Sequence, residues 1–148
     1  MGYYRMEQLS FFESDYLSKL EPLKHWKYNT EIVEYFSRYK INRRGQVYDL
    51  KRNVYTKITY DRKSSRNEYP AVSLINDFNY SCQYQVHRLV ACTFLENKDK
   101  LSYTQVNHID SNKQNHHILN LEWNTPSQNM KHAFAENKNQ IEMFWIKK

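Results

Sequence analysis

Thr125, Pro126 and Gln128 write a helix start into the chain. The threonine hydroxyl can accept from the N–H three residues on, proline fits the first turn, and glutamine can reach back to complete a capping box. A helix from Pro126 to about Asn137 is therefore predicted, with Asn129 in its first turns and His132 three residues further along the same face. Upstream, Val106 to Ile109 reads as a strand, Asp110 to Lys113 supplies turn chemistry, and Leu121 to Trp123 reads as a second short strand. Strand, loop, strand and helix follow in that order, a ββα unit.

The same stretch carries the chain's densest chemistry. Asn107, His108, Asn120 and Asn129 stand at spacings suited to holding one divalent cation beside one imidazole. His116 and His117 fall in the connecting loop and read as exposed residues, while Trp123 and the apolar residues of His87 to Leu95, a short predicted helix, read as core. His25 has no motif around it.

Composition sets the frame. At 148 residues with 40% hydrophobic and 16% aromatic content, the chain can build one compact domain, or a small domain with an appended module. Two glycines and three prolines exclude collagenous or Gly/Pro-rich disordered classes. Cys82 and Cys92 lie in segments that read as buried, and with no C-x-x-C pair they are expected to be plain reduced thiols. No apolar run approaches the roughly 18 residues of a membrane helix and no basic-then-apolar leader is visible, so no membrane partner is expected. The chain reads as intracellular and soluble.

Charge is unevenly spread. Ten basic and five acidic residues between 31 and 70 supply five of the six net positive charges. In that block Y-F-S-R-Y-K-I-N and V-Y-D-L-K-R flank a turn at Gly45, a predicted basic hairpin, and Val54 to Tyr60 reads as a third strand. Tyr69 to Ile75 and Tyr80 to Val86 form a second predicted hairpin, and residues 5 to 20 space apolar side chains as an amphipathic helix ending near Pro22. The resulting division is a helical segment over 1–30, a basic β-hairpin module over 31–70, a ββα unit over 71–137 and a tail over 138–148, an α+β chain overall.

The pattern V-N-H-I-D-x-N-K followed by N-L-E-W-x-T-P-x-x-N resembles the HNH endonuclease family, particularly its homing-type phage and intron members, with intervals of twelve and nine residues from His108 to Asn120 to Asn129. V-H-R-L-V-A-C-T-F is similar to the element that precedes that family's motif. Y-F-S-R-Y-K-I-N-R-R-G-Q-V-Y-D-L resembles the small DNA-binding module often fused to such nucleases. The resemblance covers roughly residues 32 to 134.

It implies a divalent-metal-dependent DNA phosphodiesterase on a ββα-metal fold. His108 would take a proton from the attacking water, and Asn120 would accept from the other ring nitrogen and fix the tautomer. Asn107 and Asn129 would bind one Mg²⁺ or Mn²⁺. Double-stranded DNA would lie on Arg38, Lys40, Arg43, Arg44, Lys51, Arg52, Lys57, His87, Arg88, Lys113 and His132. The chain would be cytoplasmic, or act in the host cell if phage-encoded, as a monomer or homodimer. Asn107 stands where some members carry aspartate, so Asn107→Asp is expected to tighten metal binding. Ser111 stands where the turn usually has glycine. The competing reading keeps the ββα scaffold as a catalytically inactive DNA-binding protein; an RNA-binding module has little in the sequence to support it.

Overall fold

The computed structural model describes residues 15–26, 32–60 and 69–146, the last helix's residues 144 and 145 by backbone alone. Its architecture is α+β. Four antiparallel strands come first: β1 (Glu21–Trp26), β2 (Val33–Ile41), β3 (Val47–Asp49) and β4 (Val54–Tyr55), in that order across one sheet. A hairpin of β5 (Ala71–Ile75) and β6 (Ser81–Gln85) runs into helix α1 (Val86–Phe94). The chain closes with β7 (Gln105–His108), β8 (Leu121–Asn124) and helix α2 (Pro126–Ile146).

Helix α1 is the hub. Val86, Leu89, Val90 and Ala91 have no exposed surface, and His87, Arg88 and Cys92 are also buried, so the helix is covered on every side, as an interior helix must be. It packs on β1 and touches β6, β7 and β8. One apolar cluster joins Leu17, Leu23, Phe36, Ile41 and Val47 from before residue 70 to Leu74, Leu89, Val106 and Leu121 from after it. Burying each such side chain contributes about 1.5–3 kcal/mol.

Local chemistry accounts for most element ends. The capping box forms as the sequence predicts: Gln128 N donates to Thr125 Oγ1 at 3.2 Å and Thr125 N to Gln128 Oε1 at 3.0 Å. Helix α2 runs to Ile146, beyond the predicted Asn137, because no Gly or Pro follows and Glu136, Lys138, Gln140 and Glu142 are good helix formers. The third predicted strand is only Val54–Tyr55. Thr56 closes back onto Val47, and Thr59 exchanges both backbone bonds with Ala71, handing the chain to the next sheet. Strand β1 is not signalled by sequence, since Pro22 sits inside it and the register with β2 is irregular between Pro22 and Lys24. The predicted helix over 5–20 lies mostly outside the described residues; residues 15–18 are helical. Cys92 is buried but Cys82 is exposed, because β6 turns its first three residues to solvent. Among the described residues no helix is long and apolar enough to cross a membrane.

The β2–β3 turn, predicted as the tip of a basic hairpin, is instead an internal joint. Asn42 is fully buried and its Oδ1 accepts from Arg44 N and Gln46 N. Arg43 N donates to Leu17 O and Arg43 O accepts from Ile118 N, both at 3.0 Å, so this turn stitches the first sheet to the loop before β8. Gly45 has φ +82°, and a Cβ there would meet the His116 ring and Val86. Left-handed backbone and crowding together predict that Gly45→Ala destabilises the fold by about 2–4 kcal/mol. A urea midpoint matching the parent's would mean that the turn is not seated there.

Candidate active site

The β7–β8 ladder pairs Asn107 with Glu122 and His108 with Leu121, and α2 starts two residues after β8 ends. Strand alternation puts Gln105 and Asn107 on one face. Asn129, in the first turn of α2, donates its Nδ2 to Gln105 Oε1 at 2.7 Å, which brings it alongside that face. Asn107 donates its own Nδ2 to Glu122 Oε1 at 2.9 Å. With both NH₂ groups committed, each asparagine keeps its carbonyl oxygen Oδ1 for another partner, and among the described residues no donor reaches either one. Gln105 and Glu122 were not singled out from sequence. The signals were available: the first shares strand parity with Asn107, and the second faces Asn107 once β7 and β8 are paired.

His108 ends β7 and is buried at 5% exposure. Its ring lies 4.9 Å from that of His87, and both pack on Tyr69, at 5.7 and 4.7 Å between ring centroids. Burial is the main reason that both imidazoles lose basicity. His87 is driven down to about 3, with the nearby His108 adding to the effect, and His108 to about 4, with Asp110 opposing the shift. Burial lowers His116 as well. His116 was expected to be exposed, but it is half-buried against Gly45. His108 Nε2, His87 Nδ1 and His116 Nδ1 are buried without a hydrogen-bond partner. Among the described residues, however, no three His, Cys, Asp or Glu side chains converge as a metal site. Oxygen donors from the asparagines are what this region offers.

Asn120 does not meet the imidazole. Its Nδ2 donates to Asp110 Oδ1 and Asn115 O, both at 2.8 Å, and its Oδ1 accepts from Asp110 N at 3.0 Å. The side chain is saturated by the loop and works as its clamp, holding Asp110 near His108. Ser111 in that loop has φ +61°, the conformation for which glycine is the usual residue.

Four of the side chains expected on DNA are spent inside the fold. Arg88 is buried at 5% exposure and donates to Thr104 O and Trp26 O. Arg43 lies over Tyr16 and Phe94, 4.1 and 4.6 Å from their ring centres, and donates to Tyr16 O. Arg38 pairs through two nitrogens with Asp49 at 2.9 and 2.7 Å, which holds that carboxyl at about 2. His87 is the buried partner of His108. Lys51, Arg52, Lys57 and Arg44 are exposed, and Lys40, Lys113 and His132 partly so. Lys51 and Arg52 form the tip of the β3–β4 turn, where Asp49 Oδ1 accepts both backbone N–H groups.

A strand pair and helix carrying this asparagine–histidine arrangement define a ββα unit of nuclease type. No protein-family profile matches the chain. An uncharacterised HNH endonuclease of Acanthamoeba polyphaga mimivirus is 42% identical over 106 residues, covering 72% of this chain and 30% of that protein. A second from the same virus is 36% identical over 105 residues, covering 71% and 25%. A prophage-derived HNH homing endonuclease of Bacillus subtilis (strain 168) is 52% identical over 50 residues, covering 34% and 28%. Among solved structures, the HNH homing endonuclease I-HmuI, described in its DNA binding and cleavage, aligns with a TM-score of 0.59 at 28% identity over 68% of this chain and 54% of that one. The chain belongs to the HNH-type family, and it spans less than a third of the length of the curated relatives it matches.

The buried His87 carries a pH signature. An unfolded histidine titrates near 6.5, whereas His87 in the fold titrates at about 3. Between those values the unfolded chain binds a proton that the folded chain refuses, so stability is complete above pH 6.5 and is lost as pH falls through that window. Urea unfolding at pH 7.5 and 5.0 is expected to show the loss, and His87→Phe to show a smaller one. An equal loss in the variant would contradict this account.

Proposed function

We propose that this chain is an HNH endonuclease unit that hydrolyses DNA phosphodiester bonds with one divalent ion, Mg²⁺ or Mn²⁺, at Asn107 and Asn129. The observation that carries the reading is the pair of asparagines whose NH₂ groups are tied to Glu122 and Gln105, leaving two carbonyl oxygens for another partner. Hard amide oxygens suit such a cation, and the unpartnered ring nitrogen of His108 fits a group whose partner is a substrate or water. The residues therefore fit the ion that the family implies.

When bound, the ion would stabilise negative charge on the scissile phosphate and the leaving 3′ oxygen. His108 accepts the proton of the attacking water. Burial keeps its imidazole neutral at pH 7, the form a base needs. The rings of His87 and Tyr69 set its orientation by packing, and Asn120 acts one step away by clamping the loop that carries Asp110. The products are 5′-phosphate and 3′-hydroxyl ends.

Duplex DNA is the substrate this reading favours. Lys40, Arg44, Lys51, Arg52 and Lys57 would meet the phosphate backbone, and Lys113 and His132 lie on the elements that carry the site. Phosphate contacts of this kind position a duplex without reading its sequence. The β3–β4 tip suits that task because Asp49 fixes its backbone while the side chains of Lys51 and Arg52 remain in solvent.

Conversion of supercoiled plasmid tests the reading. Nicking is expected with Mg²⁺ or Mn²⁺ and not with EDTA, and His108→Ala is expected to slow it by about 10²–10⁴-fold. Cleavage indifferent to EDTA or to the substitution would overturn the assignment. Binding without cleavage in both metals would favour a non-catalytic DNA-binding protein.

A further inference from the structure

Two neutral carbonyl oxygens are a weak hold on a dication, and the structure places a carboxylate directly behind one of them. Asn107 and Glu122 are Cα partners across the β7–β8 ladder, and Asn107 Nδ2 donates to Glu122 Oε1 at 2.9 Å. The same oxygen takes a longer bond from Asn124 Nδ2 at 3.4 Å. An ionised carboxylate only accepts. The Asn107 amide consequently has one orientation, since rotating it would set Oδ1 against Oε1. The Asn129–Gln105 pair has no such lock: both are amides, and a joint flip preserves their bond.

A hydrogen bond to an ionised acceptor also polarises the donor amide, drawing electron density onto its oxygen. The other nearby carboxylate, Asp110, is engaged elsewhere: Oδ1 accepts from Asn112 N and Asn120 Nδ2, and Oδ2 accepts from Asn115 Nδ2. Glu122 is the carboxylate bonded to a candidate ligand.

We propose that Glu122 is the positioning residue of the metal site: it holds Asn107 with Oδ1 free for the ion and supplies, through the amide, the negative charge that the two asparagines lack. The proposal rests on the reading of Asn107 as a ligand. It changes what Asn107→Asp should do. An aspartate there faces Glu122 across the 2.9 Å that a hydrogen bond now spans, so repulsion and the lost lock oppose the added charge. The gain from aspartate is released only when Glu122 becomes neutral.

The test is Mn²⁺ titration of the full chain without DNA, with free Mn²⁺ read by electron paramagnetic resonance and thermal melting in EDTA as the control for folding. Asn107→Ala is expected to abolish binding. Glu122→Ala and the nearly isosteric Glu122→Gln are each expected to weaken it about 10-fold or more while melting as the parent does, the range seen when groups supporting metal ligands are removed. The double variant Asn107→Asp with Glu122→Gln is expected to bind more tightly than Asn107→Asp alone. Loss on Asn107→Ala with parental affinity in Glu122→Gln would overturn the role of Glu122 and leave the metal site standing. A parent chain that binds no Mn²⁺, or an Asn107→Ala variant that binds as well as the parent, would overturn the metal reading itself.

Discussion

The joint at Arg43 holds the molecule together in the sense that matters for its site. Its N–H and C=O reach Leu17 on one side and Ile118 on the other, and Gly45 two residues on takes a left-handed turn that lets the backbone close on His116 and Val86. This stitch adds directional hydrogen bonds to apolar contact, which is non-directional. With it, the loop that carries Asp110, Asn115 and His116 is anchored at its far end while Asn120 clamps its near end. The buried α1 then has a fixed wall to pack on, and His87 meets His108 at a set distance.

The metal site proposed on that frame would avoid the usual cost of a metal centre. A cluster of carboxylates repels itself whenever the ion is absent, and one member must protonate or move away. Two asparagines do not repel, so β7 and the start of α2 can be packed and hydrogen-bonded before any ion arrives. The consequence is that orientation must come from neighbours. Here the neighbours are Glu122 and Gln105, both reached through side-chain NH₂ groups. His108 follows the same logic, being kept neutral by burial and oriented by ring packing.

What the sequence shows plainly is local. The Thr125–Gln128 cap, the ββα order and the hairpins depend on residues a few positions apart, and all appear in the fold. Asn107, His108 and Asn129 fall on β7 and the start of α2, the elements the sequence predicts for them. What the sequence hides is set by distant partners. Arg88 reads as a DNA contact until Thr104 O and Trp26 O claim it, and Arg43 until Tyr16 and Phe94 do. Arg38 is held by Asp49 across a strand pair. Asn120 was expected to bond to the imidazole, yet the loop between Asp110 and Asn115 offers it three closer partners. Strand β1 is likewise a product of pairing with β2 rather than of its own residues.

Anomalous diffraction from crystals grown with Mn²⁺ is the direct test of the proposal that the two asparagine oxygens hold the ion. One manganese peak at direct coordination distance from Oδ1 of both Asn107 and Asn129 is expected. A peak held by carboxylates or imidazoles elsewhere, with neither asparagine in contact, would contradict it.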